Sequence, residues 1–164
     1  MSLSSVLAAA LLPLLLGAAP AEVPYDAAGT LTTSSGQVEY TISAPEAVTL
    51  HESDIAFEMP YLRPGKPLAP MVRVRVGIRG ITGQVTAGAD VQLVYEAPDG
   101  TLASETLPIA PYEKVDLLLS HPATVTAGQR TGGEIYFDSA VPGGKVIAGD
   151  IVGTRLLAWR SPAT

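Results

Sequence analysis

The side chains that could carry chemistry are few. The chain has two histidines, His51 and His121, and no cysteine. Catalysis by a serine nucleophile needs a hydroxyl on a sharp elbow, with a histidine and a carboxylate supplied from elsewhere in the fold. Ser120 and His121 are instead consecutive, with Asp116 close by in sequence. Consecutive side chains of an extended segment point apart, so a strand ending before Pro122 accounts for the pair. The absence of thiols removes a cysteine nucleophile, any disulfide and a lipid-bearing cysteine. No catalytic constellation assembles, and the chain reads as a non-enzyme.

Metal ligation fares no better. His51, Glu52 and Asp54 offer three donors, without the second histidine of a zinc helix motif. His51 with Met59 and Met71 suggests a copper carrier using thioether ligands. Such a carrier needs a further His and Met downstream, and the third methionine is Met1. A solvated turn and methionines that fill the core are the simpler account. Weak calcium binding by Glu52 and Asp54 stays open, with no calcium-loop pattern behind it. The residues call for no cofactor.

Two surfaces stand out. Arg73, Arg75 and Arg79 share one parity of an alternating run and make a positive stripe about 20 Å long, at roughly 3.4 Å per residue. Guanidinium groups pair bidentately with carboxylates, so this stripe suits an acidic protein or a carboxylated glycan. Cross-strand pairing with Glu134 and Asp138, which share an outer face of a later run, is the simpler alternative. The second surface is the stretch 60–70, with prolines at 60, 64, 67 and 70. Its Tyr61, Leu62, Arg63 and Lys66 mix aromatic, aliphatic and basic groups on a stiffened backbone, as recognition loops do. A spacer that shields a sheet edge explains the prolines equally well.

The elements that would position these groups are strands. Val38, Tyr40 and Ile42 alternate with Gln37, Glu39, Thr41 and Ser43. Val72, Val74, Val76 and Ile78 alternate with the arginines, and Val91, Leu93 and Tyr95 alternate with Gln92, Val94 and Glu96. Ile135 and Phe137 oppose Glu134, Tyr136 and Asp138. A period of two puts one face on the core and one in water, as in antiparallel sheets. Turn signals at Pro98-Asp99-Gly100, Thr131-Gly132-Gly133 and Pro142-Gly143-Gly144 separate the runs. About seven to nine strands with no convincing amphipathic helix predict an antiparallel β-sandwich, since two one-sided sheets must cover each other. Trp159 is expected to anchor its core.

Residues 1–21 carry no charged side chain. The apolar run from Val6 to Leu16 is too short to span a bilayer and ends in Gly17-Ala18-Ala19-Pro20-Ala21. That is the pattern of a cleavable secretory signal, cut after Ala21 or Ala19, although residues 1–5 lack the usual basic group. The expected organisation is a signal over 1–21 and one domain over 22–164, long enough to bury a core without staples. The net charge of −6 then belongs to the exported part and argues against nucleic acid or anionic membrane as partners.

The C-terminal third, Thr131-Gly132-Gly133-Glu134-Ile135-Tyr136-Phe137-Asp138 followed by Leu156-Leu157-Ala158-Trp159, resembles the mycobacterial secreted immunoprotective antigens of the MPT/MPB type. Gly36-Gln37-Val38, Pro64-Gly65-Lys66-Pro67-Leu68-Ala69, Arg79-Gly80 and Asp99-Gly100 are similar too, in the same order. Residues 109–120 look like extra sequence. The resemblance implies an immunoglobulin-like sandwich, export from an actinobacterium and recognition by host immunity, and it brings no catalytic residues. The expectation is thus a secreted binding module for an unidentified protein or glycan, a host molecule being one candidate. A passive component of the cell envelope is the alternative, and a metal carrier ranks last.

Overall fold

The computed structural model describes residues 19–49, 70–106, 123–150 and 152–162. Among them the chain forms eleven strands and no helix. These are β1 (Ala21–Pro24), β2 (Ala28–Thr33), β3 (Gly36–Ile42), β4 (Glu46–Val48), β5 (Met71–Thr86) and β6 (Gln92–Glu96). They continue with β7 (Leu102–Thr106), β8 (Thr124–Thr126), β9 (Arg130–Phe137), β10 (Lys145–Gly149) and β11 (Arg155–Arg160). One layer runs β1-β11-β10-β6-β7 and the other β7-β9-β5-β3-β2, with β4 and β8 on β5. The result is the sandwich that the alternation predicts. The extra strands are the short β1, β4 and β8, whose three or four residues cannot display a period of two.

Strands that change layers nearly close the structure. β7 pairs β6 through Leu102, Ala103 and Ser104, then β9 through Glu105 and Thr106. At that corner the Leu93 amide donates to Glu105 Oε1 at 2.9 Å, so a side chain stands in for a ladder partner. Burial pushes the Glu105 carboxyl up from its ordinary range, and the hydrogen bond from Leu93 offsets part of that. On the opposite side β1 lies parallel to β11, a departure from the all-antiparallel expectation. The chain then crosses to β2, where Trp159 Nε1 donates to the Ala27 carbonyl at 3.1 Å. Tyr25 completes this seam by donating to the Gly144 carbonyl at 2.7 Å.

The core lies between the layers, and the inward parity matches the sequence reading. Val38, Tyr40, Ile42, Val72, Val74, Val76 and Ile78 from one sheet meet Leu93, Tyr95, Val146, Ala148 and Trp159 from the other. Trp159 is fully buried. The Tyr95 ring lies 5.7 Å from that of Phe137, and its hydroxyl donates to the Val141 carbonyl at 2.7 Å. Burying a phenol or indole is tolerated when its polar atom is bonded, which holds for both Tyr95 and Trp159. Gly100, at φ 87°, turns β6 into β7 as Pro98-Asp99-Gly100 predicts. Thr131-Gly132-Gly133 departs from its predicted turn and lies inside β9. Gly132 is there for space, because a Cβ on it would sit 2.7 Å from the Val76 carbonyl oxygen.

Candidate functional site

The outward parity of β5 carries Arg73, Arg75, Gly77 and Arg79 on a strand flanked by β3 and β4 on one side and β9 on the other. Register decides which groups meet. Arg73 stands between Glu46 and Tyr136, Arg75 opposite Glu134, and Arg79 between Glu39 and Arg130. Arg73 Nη2 donates to Glu46 Oε2 at 2.6 Å, and its Nη1 lies 3.4 Å from Glu134 Oε1. Arg79 Nη2 donates to Glu39 Oε2 at 2.7 Å. Arg75 is held loosely, with Nε 3.8 Å from Glu134 Oε1 and a side chain 67% exposed.

The electrostatics follow from these contacts. The hydrogen bond from Arg73 holds the Glu46 carboxyl below its usual range, and Glu46 in turn raises Arg73. Tyr136 donates to Glu134 Oε2 at 2.8 Å, and burial with that carboxylate pushes the phenol up to about 12. The partly exposed pair of Arg79 with Glu39 contributes roughly 0.2–1 kcal/mol. The arginine stripe is therefore knitted into the sheet at two of its three positions.

The sequence reading paired the stripe with Glu134 and Asp138. Glu134 takes that place, whereas Asp138 lies exposed beyond the end of β9. Glu39 and Glu46 do the rest. Glu39 had the outward parity, but alternation does not say which strand lies alongside. The turn that Thr131-Gly132-Gly133 predicts hides Arg130, which the strand Arg130–Phe137 places on the sheet. Taken as strand, the same residues put Arg130, Gly132 and Glu134 on one face.

Between the arginines no described residue covers the sheet. Thr41, Gly77 and Gly132 are aligned across β3, β5 and β9, leaving a trough along the outer face of β5. One hollow of about 170 Å³ lies toward Arg79, Arg130 and Glu39, and an adjoining one of about 480 Å³ lies toward Arg75, Glu134 and Asp26. Gly77 and Thr41 line both.

Tyr61, Leu62, Arg63 and Lys66 of the proline loop lie outside the described residues, as do His51, Glu52, Asp54, Met59, Asp116, Ser120, His121 and the segments 1–18 and 109–120. Among the described residues no group of three or more His, Asp or Glu is placed to hold a metal ion. No helix there is long and apolar enough to cross a membrane.

No protein-family model matches the chain, and no curated protein matches its sequence. Its architecture does have a counterpart. The fold is similar to that of MPT63, a secreted protein of Mycobacterium tuberculosis. The crystal structure of MPT63 aligns with a TM-score of 0.59 at 18% identity, over 87% of this chain and 98% of that one. At 18% identity, what this chain shares with MPT63 is the fold.

Proposed function

We propose that this is an exported, non-enzymatic binding module that recognises its partner with the outer face of β5. The observation that carries the reading is the open trough between Arg75 and Arg79, on a face whose central strand is otherwise closely paired. Export is supported by the apolar segment and small residues immediately ahead of β1, and by the secretion of MPT63. A cut after Ala19 leaves β1 whole, whereas a cut after Ala21 removes its first residue. An actinobacterial source and recognition as an antigen rest on the resemblance to the MPT/MPB proteins, and the partner is a protein or glycan of host or bacterial origin.

The passive envelope component is favoured by a separate observation, the ion pairs that occupy Arg73 and Arg79. The deciding experiment is binding of labelled protein, residues 22–164, to host cells and to isolated bacterial cell wall. The triple reversal Arg73/Arg75/Arg79→Glu would set acids against Glu39, Glu46 and Glu134, so Arg75→Glu alone is the cleaner variant. Saturable binding by the parent that Arg75→Glu weakens supports recognition. No saturable binding to either surface rejects it and leaves the passive component.

A further inference from the structure

Gly77 stands in the middle of the central strand, and no described residue requires it to be glycine. Its φ is outside the left-handed region, and the nearest atom to an added Cβ is the Thr41 Cβ at 3.9 Å. Glycine within a strand weakens it relative to alanine and often marks a close approach by a ligand or another backbone. Gly132 opposite it is explained by the Val76 carbonyl; Gly77 is explained by nothing among the described residues. What its missing side chain does is keep the trough open.

The ends of the trough carry charge in an unusual arrangement. Arg79 and Arg130 face each other directly across β5 and β9, an opposition of like charges that weakens a sheet. Glu39 engages only Arg79 Nη2, and the buried Arg79 Nε has no hydrogen-bond acceptor among the described residues. Arg130 is exposed. At the other end the Arg75 guanidinium is loosely held. Four residues of strand separate the two ends, about 13 Å at roughly 3.3 Å per residue.

We propose that this trough binds a carboxylated polysaccharide, with Arg130 and Arg75 taking carboxylates at its two ends and a sugar ring lying over Gly77. The proposal rests on the recognition reading above and names the ligand. Both edges of β5 are engaged by β3 and β9 around Gly77, so a peptide cannot add there as a strand, whereas a bare floor accepts the flat face of a ring. Glu39, Glu134 and Asp26 also line the trough and repel a densely charged phosphate polymer. The same carboxylates accept hydrogen bonds from sugar hydroxyls, which a uronate ring carries beside its carboxylate. The overall charge of −6 opposes approach only at long range, since salt screens charges beyond about 8 Å at physiological ionic strength.

The test is binding of the labelled protein to immobilised polygalacturonate, with neutral dextran and dextran sulfate as controls. Gly77→Val fills the trough with a residue that strands favour, and Arg130→Gln removes one guanidinium. We expect polygalacturonate binding that weakens at least about tenfold in Gly77→Val and several-fold in Arg130→Gln, with neither variant lowering Tm. Polygalacturonate binding unchanged in Gly77→Val overturns the site. Equal binding to dextran sulfate, or none to polygalacturonate, overturns the ligand class. If cell-surface binding persists and still depends on Arg75 while polygalacturonate fails, the glycan proposal falls and the recognition reading stands. Loss of both rejects the two together.

Discussion

The seam between the layers and the trough outside them are both built over a glycine, and the two glycines are there for opposite reasons. Gly29 lies under Trp159, where an added Cβ would come within 2.7 Å of the indole Cζ2 and 2.9 Å of Leu157 Cδ1. Its small size lets β2 and β11 approach and brings Trp159 Nε1 to the Ala27 carbonyl. At Gly77 an added Cβ would meet, among the described residues, only the Thr41 Cβ at 3.9 Å. One absence of a side chain is filled by the protein's own core. The other is left unfilled by the described residues on a charged surface, and a residue that stability does not require is a better guide to function than one that it does.

The contrast can be broken most forcefully at the seam itself. Trp159→Ala removes the largest fully buried side chain and its hydrogen bond, and is expected to cost about 3–5 kcal/mol in denaturant unfolding. Gly29→Ala overpacks the same place and should cost about 1–3 kcal/mol by the same measurement. If Gly29→Ala were neutral, the indole would have room to move, and the distinction between the two glycines would be lost.

Two smaller effects sharpen it. Gly77→Val should leave stability unchanged or raise it by up to about 1 kcal/mol, since it adds a strand-favouring side chain where a Cβ would make only an ordinary contact with Thr41. A clear loss of Tm would mean that Gly77 is structural after all. Glu105→Gln probes the other closing corner. Burial raises the folded-state carboxyl above its unfolded value, so its contribution is fully present below the unfolded pKa, near 4.5, and is lost as pH rises through the folded value. Glutamine keeps an acceptor for the Leu93 amide without the charge. The variant should therefore melt higher than the parent at pH 7, and the gap should close below about pH 4 as Glu105 becomes protonated. A pH-independent difference would show that the side chain matters for packing alone.

Much of the fold was legible because burial in a sandwich follows parity. The alternation of Val72, Val74, Val76 and Ile78 with the arginines placed the core and the outer face correctly from residue types alone. What parity could not supply was neighbours. Glu46 belongs to a strand of three residues, too short to alternate, and yet among the described residues it makes the shortest ion pair to the arginine stripe. Arg130 was hidden behind two consecutive glycines, which mark turns far more often than strand interiors. The trough was illegible for the same reason, since it arises only where Thr41, Gly77 and Gly132 are brought into register.

The sequence by itself determined which side chains go inward, where β6 turns into β7, and that the core forms without disulfides, because those outcomes depend on local period, local dihedral preference and composition. Strand order, the exchange of β7 between layers, the parallel pairing of β1 with β11 and the pairing of each arginine were decided by the tertiary structure. They depend on contacts between residues far apart in the chain, and a period of two carries no information about which strand will lie alongside. Gly29 and Gly77 are the same letter in the sequence; only the packing of Trp159 over one of them tells them apart.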